Sequence, residues 1–161
     1  MAVKLIGADD VTADSGNYAN YFILSQFTAV ASGNMTEFRV KCQASGNLKV
    51  AIYADNSNQP GALITAMNTG QAVVSGWNTL SFTSTPIVSG TKYWLAFISD
   101  YDNSVGYKTS AGWLRKYTAA TYSTFSFPNP AGSLIDASGY YEIEAGWGTL
   151  PVGRSFGFVI G

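Results

Sequence analysis

Residues Thr91 to Ile98 contain Tyr93, Trp94, Leu95, Ala96, Phe97 and Ile98 in unbroken succession, a short and nearly continuous apolar run behind a turn residue, Gly90. A membrane-crossing helix needs about 20 apolar residues, and no stretch of the chain approaches that. A run this short and aromatic, bounded by turn residues, reads as a central β-strand covered on both faces. A chain that must cover such a strand twice needs layers above and below it.

Most of the remaining sequence alternates with a period of two, and no window of helical length carries a 3.6 period. Phe38, Val40, Cys42 and Ala44 share one face of a strand, with Glu37, Arg39, Lys41 and Gln43 on the other. After Ser45-Gly46-Asn47 the pattern resumes with Leu48, Val50, Ile52 and Ala54, Lys49 pointing outward, and the pair reads as a hairpin with one buried face. Further strands are expected at Tyr21 to Ala29, Leu63 to Met67, Gln71 to Val74, Thr79 to Thr83, Ser104 to Thr109, Gly139 to Ala145 and Arg154 to Ile160. About ten short strands between Gly, Asn, Ser and Pro turns predict an all-β, antiparallel β-sandwich of jelly-roll type. At 161 residues the chain is one domain, spanning 1–161, with no linker, repeat or low-complexity tract.

Composition narrows the chemistry. There is no histidine, so neither a Ser-His-Asp nor a Cys-His nucleophile can be assembled. One cysteine leaves catalytic zinc without a ligand set, and Cys42 reads as an inert core thiol. The glycine-rich signatures that cradle phosphates are absent. Nine basic residues are scattered against ten acidic ones, with a pI near 5.2, which argues against nucleic-acid binding. Ser, Thr and Asn supply 41 residues of uncharged polarity, suited to extracellular or virion surroundings. The segment Met1 to Asp10 has too short an apolar run for a signal peptide.

Several stretches carry a resemblance. Tyr21-Phe22 through Phe27-Thr28-Ala29, Ala31-Ser32-Gly33-Asn34, Ile52-Tyr53-Ala54-Asp55-Asn56-Ser57-Asn58-Gln59-Pro60-Gly61, Gly76-Trp77-Asn78, Gly90 to Ala96 and Tyr122-Ser123-Thr124-Phe125 together resemble a group of carbohydrate-binding-module-like jelly-roll modules. Such modules are attached to secreted bacterial and archaeal proteins and to phage structural proteins. The resemblance covers about residues 18–145 and leaves a C-terminal extension strand, 154–160, beyond it. It implies a rigid sandwich acting as an appendage. The motifs themselves have structural explanations. Pro60 and Gly61 suit a polar turn, Gly76 and Gly90 mark strand starts, and Trp77 and Trp94 are expected in the core.

Three constellations carry potential chemistry. Glu142 and Glu144 lie two apart on a predicted strand, placing same-face carboxylates about 6.5–7 Å apart. That falls between the two glycosidase separations, retaining at about 5–5.5 Å and inverting at about 6.5–9.5 Å, yet any acidic pair on a solvated strand shares it, and the solvated face is the favoured reading. Asp100-Tyr101-Asp102-Asn103-Ser104, with Asp9, Asp10 and Asp14, offers oxygens for a structural calcium, but Asp and Asn equally favour turns, and the turn is preferred. The third is aromatic density. Residues 101–161 hold 12 of the 23 aromatic residues, and core strands explain Trp113, Tyr117, Tyr122 and Trp147 less well than the others.

An exposed aromatic ring offers a platform for the C–H face of a pyranose, and neighbouring amides or an arginine can bond its hydroxyls. The sequence therefore points to a non-catalytic module that recognises a polysaccharide or cell-surface glycan, with Trp113, Tyr117, Tyr122 and Trp147 stacking and Arg115 and Asn129 hydrogen-bonding. The alternative is a virion decoration or fibre protein, a homo-oligomer whose aromatics are buried between subunits. No cofactor, nucleic acid or membrane enters either reading.

Overall fold

In the computed structural model, residues 1–8, 15–102, 104–109, 112–141 and 143–151 are described. The strands, in chain order, are β1 (Val3–Lys4), β2 (Ser15–Gly16), β3 (Tyr21–Thr28), β4 (Gly33–Cys42), β5 (Gly46–Asn56), β6 (Gln59–Val73) and β7 (Gly76–Ile87). They continue with β8 (Lys92–Ser99), β9 (Gly106–Lys108), β10 (Leu114–Ala119), β11 (Ile135–Ser138), β12 (Tyr140–Tyr141) and β13 (Ile143–Thr149). A 3-10 turn occupies Tyr122–Thr124.

All strand pairings among the described residues are antiparallel. One sheet has the order β1-β13-β4-β7, the second β11-β10-β3-β8-β5-β6, and a small third sheet β12-β9-β2. The two larger sheets enclose a core of Ile23, Phe27, Phe38, Val40, Leu48, Val50, Ile52, Leu95 and Phe97, so the chain is the expected antiparallel β-sandwich. In β8 every residue from Tyr93 to Ser99 is buried, as the continuous apolar run predicts.

The second face of β8 is covered by the segment 120–134, which leaves β10 and returns at β11. Beneath it Phe22, Leu24, Ala51, Tyr53, Trp94, Ala96 and Ile98 form a second apolar core with Phe127 and Ala131. Burial of each large ring contributes about 1.5–3 kcal/mol. The rings of Phe22, Phe125 and Phe127 meet at centroid distances of 5.1–5.7 Å. Two large side chains under the strap have their polar atoms paired. Trp94 Nε1 donates to Asp55 Oδ1 at 2.8 Å, and Tyr53 Oη donates to the Pro128 carbonyl at 2.8 Å.

Five local expectations change. Strands β4 and β5 form no hairpin, because β4 pairs with β7 and β13 while β5 pairs with β6 and β8 in the opposite sheet. Ser45-Gly46 is an arch between layers. Either arrangement keeps Val40 and Val50 in the same core, so alternation alone does not separate them. Gly46 is needed in the arch, since a Cβ there would run into the Tyr101 ring. The two short strands expected at 63–67 and 71–74 belong mostly to one long strand, β6. The β5–β6 turn places Ser57 and Asn58 at φ 54° and 64°, the two positive values of a type I′ hairpin, rather than relying on Gly61. Trp77 is 41% exposed and not in the core, with the Lys41 ammonium 6.0 Å from its ring centroid.

Lys49 does not point into solvent. It is 7% exposed, its Nζ donates to the Tyr122 and Phe125 carbonyls at 2.8 and 2.7 Å, and it lies 4.7 Å from the Tyr122 ring centroid. The strap that covers β8 is thus anchored by a cation from β5. The strand expected at 154–160 lies outside the described residues. Replacing Lys49 by Met keeps the apolar stem and strands two carbonyls. Urea denaturation of Lys49→Met is expected to show a loss of about 1–3 kcal/mol, with faster proteolysis within 120–134. Wild-type stability in that variant would contradict the anchoring role.

Candidate ligand-binding site

The residues that converge on a cavity are set by the register of β10. Arg115 pairs with Ser25 and Tyr117 with Ile23, so both side chains share the core-facing side of the sheet with Ile23. Lys116, pairing with Leu24, lies on the other face, 5% exposed, ion-paired to Asp136 of β11 and 6.0 Å from the Trp94 ring centroid. Trp113 precedes Arg115 by two residues and lies on the same side as Tyr117, its ring 5.7 Å from Phe27. The period of two thus places Trp113, Arg115 and Tyr117 in a row along one side of β10.

Beside this row is a cavity of about 420 Å³, lined by Gly16, Asn17, Tyr18, Tyr21, Ile23, Tyr107, Arg115, Tyr117 and Ala137. Tyr21 and Tyr117 meet edge to face at 6.1 Å and 61°. The Arg115 guanidinium lies 4.7 Å from the Tyr107 ring centroid. That contact holds the planar cation against a wall of the cavity. Tyr18, 73% exposed, stands at the mouth.

Asn17 holds that mouth in place. Its Nδ2 donates to the Tyr18 carbonyl at 2.9 Å and to Ser99 Oγ at 3.4 Å; its Oδ1 accepts from the Val105 amide at 3.0 Å and from Ser104 Oγ. This buried side chain ties the loop carrying Tyr18 to the end of β8 and the start of β9. It is a support for the cavity, since its amide is already engaged.

A second cavity, of about 470 Å³, opens at the start of β10 among Lys4, Gly7, Gln26, Phe27, Thr28, Val30, Lys92, Gly112, Trp113 and Leu114. Trp113 is 38% exposed there.

The structure brings together three of the six residues singled out in the sequence. Tyr122 and Asn129 lie on the strap across the opposite face of the six-stranded sheet. Tyr122 covers Lys49, and Asn129 Oδ1 accepts from the Leu63 amide at 3.0 Å. Burial pushes the Tyr122 hydroxyl's pKa upward, and the Asp100 charge adds to the shift. Trp147 belongs to β13 of the other sheet, with the Arg39 guanidinium 3.8 Å from its ring centroid and Arg39 in turn bonded to Glu37 at 2.8 and 3.0 Å. The six therefore occupy three separate surfaces. Tyr18, Tyr21 and Tyr107 escaped the sequence reading. Tyr107 reads as a core residue from its strand pattern, and its stacking on Arg115 joins β9 to β10, a pairing no local spacing announces.

The acidic constellations resolve differently. Asp100 accepts from the amide and side chain of Asn47, both at 2.8 Å, and Asp102 accepts from the Ala19 amide at 2.7 Å. Both carboxylates fasten loops. Among the described residues no three of His, Cys, Asp and Glu gather as metal ligands. Glu142 lies outside the described residues, as does the side chain of Glu144, whose backbone pairs with Arg39. In comparisons with known proteins, no family model matches the chain and no curated protein matches it.

Cys42 is buried at 3% exposure, and burial pushes its thiol up to about 11 from 9.0, against the weaker lowering effect of hydrogen bonds with Tyr101 and Asn78. The folded state thus holds the proton more tightly than the unfolded chain. The stabilisation from this group is complete below pH 9 and is lost as pH rises from about 9 to about 11. Urea midpoints between pH 8 and 11 are expected to fall from about pH 9, with Cys42→Ala lacking this first part of the fall. Identical profiles for the two proteins would contradict the buried-thiol account.

Proposed function

We propose that the protein is a non-catalytic glycan-binding module whose ligand occupies the tyrosine-lined cavity beside β10. The observation that carries the reading is the convergence of Tyr18, Tyr21, Tyr107 and Tyr117 with Arg115 around about 420 Å³. The volume lies in the usual range of small-ligand sites, about 300–1,000 Å³. Tyrosine rings supply apolar walls for sugar C–H faces, their hydroxyls and a guanidinium supply polar tips, and two χ angles keep the ordering cost low. The absence of histidine from the sequence favours recognition over catalysis.

Strand order supports the finer reading of the sandwich as a jelly roll. With β9 to β12 set aside as an insertion, β1-β13-β4-β7 faces β3-β8-β5-β6, an arrangement consistent with two intertwined Greek keys. A glycan-binding appendage on such a scaffold fits an extracellular or virion setting. The second reading, a virion decoration or fibre protein, draws on exposed apolar side chains away from the cavity, Trp77, Val74 and Val88 among them.

A glycan array with affinity electrophoresis discriminates between them. The wild-type protein is expected to retain a glycan, and Tyr117→Ala and Tyr107→Ala to weaken retention about tenfold each, the order of one lost aromatic contact. Trp77→Ala, on a distant face, leaves it unchanged. Unaltered binding in both tyrosine variants would contradict the site. An oligomer in light scattering that retains no glycan would favour the virion reading.

A further inference from the structure

We infer that the mouth of the tyrosine-lined cavity is held from the opposite face of the six-stranded sheet, with Asn20 as the positioning residue that ties it to the strap. This inference rests on the glycan reading above for what the cavity takes, and adds what controls its shape. Asn20 lies between two cavity-lining residues, Tyr18 and Tyr21. Its φ of 61° is left-handed, a conformation that asparagine adopts more readily than most side chains. It sits where β3 begins and where β8 and β10 end. The Asn20 amide donates to the Ser99 carbonyl of β8 at 3.0 Å, and the Asn20 carbonyl accepts from the Ala120 amide, just beyond β10, at 2.9 Å. Its Oδ1 accepts from the amide of Tyr122, in the 3-10 turn near the start of the strap, at 2.9 Å.

Tyr122 is held from two directions. Its amide bonds Asn20, and its carbonyl accepts from Lys49 Nζ at 2.8 Å. A continuous series of hydrogen bonds therefore runs from Lys49 in β5, through the strap, to the loop that carries Tyr18. Elsewhere in that loop the Ala19 amide donates to Asp102 Oδ1 at 2.7 Å, and Asn17 bonds Ser99 and Ser104. Tyr21, the first residue of β3, pairs with Ala119, so the Asn20–Ala120 contact continues directly into the ladder that places its ring. Walls positioned before a ligand arrives spare the cost of ordering them on binding. Neither Lys49 nor Asn20 lines the cavity, yet loss of either link raises that cost and lowers affinity. In the wild type both links are already made, so ligand binding leaves the strap where it is.

The test compares amide NMR spectra of the full chain, free and titrated with a pool of soluble neutral and acidic oligosaccharides, in the wild type, Asn20→Asp, Asn20→Gly and Lys49→Met. Asp keeps the acceptor, whereas Gly keeps the left-handed backbone and removes it. Without ligand, Lys49→Met is expected to shift the amides of residues 18–21 while those of Gly106 and Tyr107, on the far wall, stay in place. Lys49→Met and Asn20→Gly are each expected to weaken binding about threefold, the order of one net hydrogen bond, with Asn20→Asp close to the wild type. Because both act through one link, the double variant is expected to bind no more weakly than the weaker single variant. Wild-type shifts at 18–21 and wild-type affinity in Lys49→Met would overturn the coupling and leave the glycan reading intact. Equal losses in Asn20→Asp and Asn20→Gly would overturn the role of the Asn20 acceptor. If the pool shifts no amide in the wild type, the glycan reading fails, and the free Lys49→Met spectrum alone decides the coupling.

Discussion

A strand that is apolar on both sides must be covered on both sides, and β8 imposes that requirement on the whole molecule. The facing four-stranded sheet satisfies one side. The other is closed by the segment 120–134, carrying Phe125, Phe127 and Ala131 across Phe22, Tyr53, Trp94 and Ile98. Such a segment has backbone polar groups that cannot be left unpaired over an apolar sheet. Lys49, Asn68 and Tyr53 meet part of that demand. Lys49 donates to two strap carbonyls, Asn68 Oδ1 accepts from the Phe127 amide, and Tyr53 bonds the Pro128 carbonyl.

The same requirement places the candidate site. To begin and end the strap on one edge of the sheet, the chain adds β10 and β11 beyond β3. Their core-facing side extends past the main sandwich and is met by the small sheet of β2, β9 and β12. The cavity lies where these layers meet, walled by Tyr21 and Tyr117 from the large sheet and Tyr107 from the small one. The candidate cavity and the second core thus lie on two sides of one strand. Lys116 of β10 faces the strap side toward Trp94, while Arg115 beside it faces the tyrosines.

How far the sequence reveals this depends on which contacts are local. β8 is legible because seven consecutive buried residues leave no other strand type available. The direction of β10 is legible once its register is known, but the register comes from Ser25 and Ile23, about ninety residues away in sequence. The supposed β4–β5 hairpin failed because the period of two records which face is buried and not which sheet receives it. Lys49 was misread for a related reason: the segment that covers it has no periodicity of its own. At the site, the aromatic surplus after residue 101 drew attention to Trp113 and Tyr117. It could not separate Tyr122, used to hold the strap, from a ligand-facing ring. Tyr18 and Tyr21 lie outside that surplus and were not singled out.

The most direct measurement is an amide-resolved NMR titration of the protein with a pool of soluble neutral and acidic oligosaccharides. The account predicts shifts concentrated at residues 16–21, 107 and 113–117, with the strap residues 122–131 and the outer face around Trp77 and Arg39 unchanged. Shifts centred on Trp77, Arg39 and Trp147 instead, or no shifts anywhere, would contradict it.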